Sequence, residues 1–219
     1  HGDSGDWILS CWILGCWISG CWISGEQEPV SKTVFLDRDG TINREIGFFG
    51  DPARLELLPG VAEAMRRLHD AGYRLIITTN QSGIARGLYS ERDLTAVHAR
   101  LHALVDRLPL AYLHCPHHPD PGPGKHPGYH RDCTCRKPGP GLLHHACTML
   151  KDFGVTLTDA VVIGDSARDL LMAQDLPLTK ILVASGKPIA EQRQKLSDAG
   201  CEPDHEAADL VAAVDWLLR

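Results

Sequence analysis

Two carboxylates separated by one residue follow the first apolar run of the chain. Residues 34–36 are apolar, and Asp37, Arg38, Asp39 and Gly40 come directly after them. Such a run predicts a buried parallel strand, and open α/β sheets bind ligands at the carboxyl ends of their strands. Asp37 and Asp39 would point to the same side, where their repulsion favours a bound cation such as Mg²⁺. One acid can then attack phosphorus while the other transfers a proton, although a solvated turn is the alternative interpretation.

Polar residues also end two later apolar runs. Residues 75–77 lead to Thr79, whose hydroxyl could hold a phosphoryl oxygen together with backbone N–H groups of the glycine-containing turn that follows. Residues 161–163 lead to Asp165, a further acid at a strand end. Asp169 comes next, where it could orient a metal shell or simply favour the N-terminus of a helix. These positions predict one shared site if the three strands are parallel and lie side by side.

The segment from Cys115 to Cys135 contains a second informative pattern. It reads Cys-x-His at one end and Cys-x-Cys at the other, with many Pro, Gly and His residues between. The thiolates of Cys115, Cys133 and Cys135 and one imidazole would complete the tetrahedral shell of a structural Zn²⁺ ion. Disulfides are the alternative, and they are disfavoured because cysteines one residue apart do not pair easily. The nitrogen ligand could come from His114, His117, His118, His126 or His130.

Arg136 and Lys137 come directly after the last of these cysteines. A lysine near the acid pair can neutralise the nucleophile and the phosphoryl group, while an arginine can clamp a second phosphate in bidentate fashion. Two basic residues before a proline are also common on solvated surfaces. A zinc ion at Cys135 would hold this pair at the mouth of the site, which favours the functional interpretation.

Helical patterns separate the apolar runs and complete the expected fold. Apolar residues at helical spacing predict helices after residue 60, over 90–107 and from 140 to about 153. This alternation of strands and helices predicts a doubly wound parallel sheet of the α/β class, with the site at its carboxyl edge. Residues 42–58 contain Gly and Pro and predict a short flap, because a large cap domain would not fit there.

Two further predictions concern the end of the sheet and a pair of histidines. Residues 181–183 predict the last strand, followed by helices over about 188–199 and 206–218. His98 and His102 lie at i and i+4 of a helix, a spacing that a metal ion could use. Because no third ligand is evident, both are predicted to be surface residues.

Net charge and the N-terminal sequence limit the possible partners. The 219 residues carry a formal net charge of −6 with scattered basic residues, which gives no reason to expect nucleic acid as a partner. Residues 7–25 repeat Trp and Cys with a spacing that fits neither a helix nor a strand. Residues 1–29 are therefore interpreted as a low-complexity or artefactual extension, with a membrane segment as the alternative. Residues 30–219 are expected to form one monomeric domain with no membrane association.

The motif at Asp37 resembles the first signature of the haloacid-dehalogenase-type phosphatases. The remaining signatures of that family match in order at Thr79, Lys137 and Asp165. The resemblance implies that the domain is a Mg²⁺-dependent phosphatase with Asp37 as nucleophile and Asp39 as general acid and base. It also implies that Asp37, Asp165 and the backbone carbonyl of Asp39 hold the Mg²⁺ ion. Thr79 and Lys137 would bind the transferring phosphoryl group.

The Cys/His segment and the residues around Thr79 indicate which subfamily of these phosphatases the chain resembles. They are similar to a zinc-containing, cytoplasmic subfamily of sugar-bisphosphate and histidinol phosphatases. The similarity selects His117 as the nitrogen ligand of Zn²⁺ and implies a phosphorylated sugar as substrate, with histidinol phosphate as the alternative. A zinc-stabilised binding module with a vestigial phosphatase site is an alternative of a different class. The residues implied in substrate binding are Arg38, Asn80, Gln81, Ser82, Arg86 and Arg136.

Three positions depart from the subfamily pattern. The flap has Ile46 and Phe48 where a His and a Tyr are frequent, and Ser166 stands where a Lys is frequent. In the enzymes that the chain resembles, these positions contact the substrate. The preferred anomer of the sugar is therefore left open, whereas the phosphoryl chemistry is expected.

Overall fold

Six parallel strands form the sheet that positions the predicted site. The computed structural model describes residues 32–120, 122 and 126–219, so the extension predicted over residues 1–29 and the domain start at Val30 lie outside the described residues. The strands pair in the order β3-β2-β1-β4-β5-β6, and every pair is parallel. They are β1 (Lys32–Leu36), β2 (Tyr73–Asn80), β3 (Ala111–Cys115), β4 (Val161–Gly164), β5 (Thr179–Val183) and β6 (His205–Ala207).

Helices connect the strands and cover both faces of the sheet. They are α1 (Val61–Asp70), α2 (Glu91–Leu104), α3 (Gly141–Met149), α4 (Ala167–Leu171), α5 (Ile189–Asp198) and α6 (Leu210–Leu217). Val34 and Leu36 of β1 pack in one core cluster with α1, α2 and α6, whereas Phe35 between them packs in another with α3. The run in β1 is apolar throughout because both of its faces are buried. The predicted doubly wound α/β fold is confirmed.

The strand order places a topological switch point between β1 and β4. Leu36, the last residue of β1, pairs with Ile77 of β2 on one side and with Ile163 of β4 on the other. The chain runs from β1 outward to β2 and β3, and then returns to β4 on the opposite side of β1. Ligands of open α/β sheets bind at such a point, outside the carboxyl ends of the strands. Asp37 and Asp165, which directly follow β1 and β4, lie there.

The predicted flap is a short loop closed at its base by backbone hydrogen bonds. The N–H of Leu58 donates to the carbonyl of Ile42 (3.0 Å), and the N–H of Arg44 donates to that of Glu56 (2.9 Å). Within this loop the structure forms a single 3₁₀ turn, Pro52–Arg54. No large cap domain therefore lies over the sheet in the described part of the chain, as the sequence predicts.

Three sequence predictions are wrong. The short strand β6 (His205–Ala207) pairs with β5, so residues 181–183 are not the last strand. Helix α6 begins only at Leu210, where the side chain of Asp209 accepts a hydrogen bond from the N–H of Ala212 (2.9 Å). His98 is buried against β3 and not at the surface, and His102 is half-buried.

None of the helices in the described ranges has the length and apolar character that crossing a bilayer requires.

Candidate active site

A cavity of about 310 Å³ opens at the carboxyl edge of the sheet, where β1, β2 and β4 end. Most of the residues predicted from the sequence to act on the substrate lie on its wall. Those residues are Asp37, Asp39, Thr79, Asn80, Ser82, Arg86, Arg136 and Lys137. The structure therefore brings together residues that are up to 100 positions apart in the chain.

Three carboxylates lie together at the floor of this cavity: Asp37 and Asp169 line it, and the buried Asp165 lies next to them. Oxygens of Asp37, Asp165 and Asp169 lie within 4.8 Å of one another, and we call them the carboxylate cluster. Asp165 is completely buried, and its Oδ1 atom has no hydrogen-bond partner among the described residues. Gly40 and Gly186 pack closely against its other oxygen, Oδ2. A Cβ atom built on either glycine would lie only 2.4 Å (Gly40) or 2.0 Å (Gly186) from Asp165 Oδ2. Gly40 also has a φ of +85°, so two independent constraints require glycine there.

Lys137 lies between two of these acids. Its buried Nζ atom donates to Asp37 Oδ1 (2.7 Å) and to Asp169 Oδ1 (2.6 Å). Burial raises the pKa of Asp37 well above its ordinary value, the charge of Asp169 adds to that effect, and Lys137 opposes it. Burial lowers the pKa of Lys137, but the carboxylates of Asp169 and Asp37 outweigh burial and leave the pKa of the ammonium group raised. Lys137 is therefore charged and fixed beside the predicted nucleophile.

The structure shows Asp169 at the N-terminus of a helix, one of the two roles that the sequence leaves open, and also in contact with Lys137. Its Oδ1 atom holds Lys137, and its Oδ2 atom accepts a hydrogen bond from the backbone N–H of Ser166 (3.0 Å). Ser166 caps α4 with its own hydroxyl group, which accepts from the N–H of Arg168 (3.4 Å). Asp169 therefore links the start of α4 to the floor of the cavity.

Lys187 is a second cation of the floor that the sequence analysis missed. Its backbone N–H donates to Asp165 Oδ2 (3.0 Å), and its Nζ atom is 3.4 Å from the same oxygen and 3.5 Å from Glu45 Oε2 of the flap. Burial and the charge of Asp169 raise the pKa of Asp165 to about 6, and Lys187 opposes this shift. The signal was available, because Lys187 follows the end of β5 at the same edge of the sheet.

The carboxylate cluster fits a hard divalent cation. Its three acids face two ammonium groups, and the buried Oδ1 atom of Asp165 has no partner among the described residues. Carboxylate oxygens with room for water and phosphate oxygens are what Mg²⁺ takes in proteins. Asp37 and Asp165 are better placed to be its ligands than Asp169, since Lys137 and Ser166 already use both oxygens of Asp169.

Asp39 lines the cavity but is held from behind by a ring of donors. Arg38 donates to it through Nε and Nη2, with the shortest distance 2.7 Å, and the side-chain amides of Asn43 and Gln81 donate at 2.9 and 3.0 Å. Arg38 and Gln81 were expected to contact the substrate, but both are buried and neither lines the cavity. Their donor groups point to Asp39, so in this structure they position the predicted proton donor and lie behind the cavity wall.

Thr79 and Asn80 occupy the end of β2 in different ways. The Thr79 hydroxyl accepts a hydrogen bond from Gln81 Nε2 (2.9 Å), which leaves its proton available to a phosphoryl oxygen in the cavity. Asn80 Oδ1 accepts from the N–H of Lys137 (3.1 Å), and its Nδ2 donates to the carbonyl of Lys137 (3.1 Å). Asn80 therefore fixes the backbone that carries Lys137.

Cys115, His117, Cys133 and Cys135 converge next to the cavity, and we call them the Cys/His cluster. The Sγ–Sγ distances are 3.5 Å for Cys115 to Cys133 and 3.2 Å for Cys133 to Cys135. His117 Nδ1 lies 3.7 and 3.5 Å from the sulfurs of Cys115 and Cys135. A tetrahedral Zn²⁺ with Zn–S bonds of about 2.3 Å requires ligand separations of about 3.7 Å, close to those observed.

The chemistry of the four ligands also fits Zn²⁺. All cysteines in the described part of the chain are free thiols, so the structure does not contain the alternative disulfides. Hydrogen bonds from Cys115 and Cys135 lower the pKa of Cys133, whereas hydrogen bonds with Cys133 and Cys135 raise the pKa of Cys115, so one sulfur of the cluster is favoured as the thiolate that zinc binds. Of the other histidines, His118 turns its Nδ1 to the backbone N–H of Asp120 (3.0 Å). His117 is therefore the imidazole that belongs to the cluster.

Basic side chains line the outer part of the cavity. Arg136, next to Cys135 in the chain, lies on the wall and donates to the carbonyl of His117 (3.2 Å). Arg86 lies over the ring of Phe48, 5.5 Å from its centroid. Arg168 and His118 also lie on this wall, and neither was predicted from the sequence to bind the substrate. Guanidinium groups are the side chains best suited to a second phosphate.

The parallel sheet, the carboxylate cluster at its switch point and the lysine between its acids define a haloacid-dehalogenase-like hydrolase. A HAD-hydrolase-like family model matches residues 134–213. The D-glycero-beta-D-manno-heptose-1,7-bisphosphate 7-phosphatase of Haemophilus ducreyi is 37% identical over 172 residues, which cover 76% of this chain and 91% of that protein. The chain belongs to the family of D-glycero-D-manno-heptose-1,7-bisphosphate 7-phosphatases. The family resemblance inferred from the motifs is thereby confirmed.

Other relatives agree with this family. The D-glycero-D-manno-heptose-1,7-bisphosphate 7-phosphatase of Thermosynechococcus vestitus is 38% identical over 188 residues, covering 84% of this chain and 94% of that protein. The crystal structure of D,D-heptose 1,7-bisphosphate phosphatase from B. bronchiseptica, complexed with magnesium and phosphate, has a TM-score of 0.68 and 33% identity. The match covers 85% of this chain and 98% of that one.

Proposed function

We propose that the chain removes the 7-phosphate of D-glycero-D-manno-heptose 1,7-bisphosphate, with Mg²⁺ as catalytic and Zn²⁺ as structural cofactor. The observation that carries the proposal is the division of the cavity into two parts. Acids and Lys137 form the floor, where a phosphoryl group can be transferred, and Arg86, Arg136 and Arg168 line the outer wall. A sugar bisphosphate presents one phosphate to each part. Relatives that are 37% and 38% identical are named for this substrate.

The proposed reaction passes through an aspartyl-phosphate. Asp37 attacks phosphorus in line, the bond between phosphorus and the C7 oxygen breaks, and Asp39 gives a proton to the departing oxygen. Asp39 then takes a proton from water, which attacks the aspartyl-phosphate and restores Asp37. Lys137 and Thr79 hold the phosphoryl oxygens during both steps. Mg²⁺, held by Asp37, Asp165 and the backbone carbonyl of Asp39, would supply further positive charge at this site.

The distal phosphate and the Cys/His cluster are connected in this proposal. Arg136 is the proposed clamp, with Arg86 and Ser82 beside it on the wall. Zn²⁺ in the cluster would fix Cys135, and through it the backbone of Arg136 and Lys137. Free thiols suit a reducing compartment, which agrees with a cytoplasmic enzyme of nucleotide-activated heptose synthesis for lipopolysaccharide core. A monomer is the expected form.

The alternative substrate, histidinol phosphate, fits the cavity less well. It carries one phosphate and an ammonium group, so its distal end is cationic. Arg86, Arg136 and Arg168 would repel that end, because the described outer wall is basic. The different-class alternative, a binding module with a vestigial site, would not need an intact nucleophile, Lys137 and acid floor.

Magnesium-dependent phosphate release from four esters tests the proposal. The esters are the α and β anomers of the heptose bisphosphate, histidinol phosphate and fructose 1,6-bisphosphate. We expect kcat/KM for one heptose anomer to exceed the values for histidinol phosphate and fructose bisphosphate at least about tenfold. A preference for histidinol phosphate would overturn the substrate, and no release from any ester would favour the binding module.

A further inference from the structure

A buried arginine and a buried histidine lie directly behind the proposed proton donor. Arg38 is 1% exposed and His98 is 2% exposed. Arg38 Nη1 lies 3.3 Å from His98 Nε2, while Nη2 of the same guanidinium donates to both oxygens of Asp39 at 2.8 and 2.7 Å. The ring of Phe49 packs on the guanidinium, 5.2 Å from its carbon. One guanidinium group therefore connects His98 on α2 to Asp39 at the cavity.

The chemistry of this contact fixes the protonation state of His98. A guanidinium group has only donors, so Nε2 of His98 must accept and the ring proton must lie on Nδ1. Burial lowers the pKa of His98 well below its ordinary value, and the charges of Arg38 and His114 add to this effect. His98 also stacks on Tyr112, with ring centroids 4.9 Å apart. The imidazole is therefore neutral, and its acceptor nitrogen is held toward Arg38.

Loss of the acceptor nitrogen of His98 would displace the carboxylate of Asp39. The Nη1 group of Arg38 would then be a buried donor without this partner, and buried donors are costly to leave unpaired. The guanidinium group of Arg38 would move to recover an acceptor. The Asp39 carboxylate would move with it, because Nε and Nη2 of Arg38 both donate hydrogen bonds to that carboxylate. Proton transfer tolerates a misplacement of only about 0.5 Å.

We propose that His98 is a positioning residue for proton transfer, which fixes the Asp39 carboxyl group through its hydrogen bond with Arg38. This inference rests on the proposed function, since Asp39 is a proton donor only if phosphoryl transfer takes place. His98 does not line the cavity, and it acts only through Arg38.

The test compares two esters that differ in their need for a proton. In the heptose bisphosphate the leaving group is the C7 alkoxide of heptose 1-phosphate, which must be protonated, whereas the nitrophenolate of p-nitrophenyl phosphate leaves without a proton. The measured quantity is kcat/KM, because it reports the steps up to formation of the aspartyl-phosphate and not its later hydrolysis. His98→Phe keeps the stacking on Tyr112 and removes the acceptor. We expect it to lower kcat/KM about tenfold for the sugar and less than about twofold for the aryl ester.

Three further variants make the result decisive. His98→Gln retains an acceptor oxygen and should restore most of the kcat/KM for the sugar. His98→Leu lacks the acceptor and repeats the test if His98→Phe does not fold. His102→Leu changes a half-buried histidine of the same helix that contacts Tyr112 (3.4 Å), and it should leave the ratio between the esters unchanged.

The outcomes separate this inference from the proposed function. Equal losses on both esters in His98→Phe and His98→Leu, or no recovery in His98→Gln, would overturn the role of His98 while the wild-type activity stands. If the wild-type protein hydrolyses neither ester in the presence of Mg²⁺, the proposed function fails and the inference fails with it.

Discussion

The carboxylate cluster and the Cys/His cluster both gather groups of like charge, but the protein balances them differently. Lys137 and Lys187 donate to the acids, at distances from 2.6 to 3.4 Å. In the Cys/His cluster the thiols make hydrogen bonds to one another and to His117. We therefore expect the carboxylate cluster to keep its shape without a metal ion, and the Cys/His cluster, which has no cationic side chain among these partners, to depend on one. Magnesium loss should stop turnover, and zinc loss should weaken the fold.

The largest effect is expected for the nucleophile of the carboxylate cluster. Asp37→Asn should lower kcat about 10⁴-fold or more, because an amide cannot attack phosphorus. Thermal stability should change little, since the substitution removes one charge from a floor with more acids than lysines. Phosphate release and thermal unfolding measure the two effects, with the exposed Asp175→Asn as the control. Turnover within about tenfold of wild type would show that Asp37 is not the nucleophile.

The charge balance of the same cluster is tested by Lys137→Met. We expect kcat to fall about 10³-fold, because the phosphoryl oxygens lose a fixed cation. The free energy of unfolding should fall by about 3 kcal/mol, since two buried acids lose their partner. Added Mg²⁺ should recover part of that stability in an unfolding titration. If Mg²⁺ stabilises this variant no more than the wild type, the carboxylate cluster is not the cation site.

Loss of a ligand of the Cys/His cluster should lower stability, unlike loss of the nucleophile Asp37, and should lower activity less. Cys133→Ser should remove bound zinc and lower the free energy of unfolding by about 3 kcal/mol or more. Activity should fall about 10²-fold, because Arg136 and Lys137 follow the last cysteine of the cluster. Metal content and thermal unfolding are the measurements. Cys147→Ser, a half-buried thiol of α3, is the matched control and should retain its zinc. Equal stability of both variants would contradict a structural zinc ion.

The smallest effect is expected on the outer wall. Arg168→Ala should raise KM for the heptose bisphosphate about tenfold, because one charged contact to the distal phosphate is lost. KM for p-nitrophenyl phosphate should not change, since that ester has no second phosphate. Steady-state kinetics with Arg92→Ala, an exposed arginine of α2, provide the control. A rise of KM for both esters would place Arg168 at the transferring phosphate instead.

The residues at the floor of the site could be predicted from the sequence because they stand at the carboxyl ends of strands. Asp37, Thr79 and Asp165 each terminate or follow an apolar run, and parallel neighbouring strands must bring such positions to one edge. The strands β1 to β5 and the helices between them follow from the same periodicity. The strand β6 was missed because it has only three residues and lies directly before the pattern of α6.

The remaining errors concern side-chain direction, which a linear pattern does not contain. His98 was predicted to be a surface residue because no third metal ligand is evident, although it lies on the same helix face as Leu94 and Leu101, and this face of α2 packs on β3 and on Arg38. Arg38 lies between two cavity residues in the chain, but alternation along the strand end turns it to the opposite side. Arg168 and Lys187 reach the cavity from a helix start and a strand end, and neither belongs to the signatures recognised in the sequence.

The close packing of Gly40 and Gly186 against Asp165 also limits the directions from which water can reach the site. The tips of β1 and β5 seal the site on that side, and Ser185 Oγ ties them together by donating to the carbonyl of Gly40 (2.7 Å). In the described residues this side of Asp165 is closed by backbone, so we expect the water of the second step to approach from the cavity, the side on which the sugar binds in the proposed reaction.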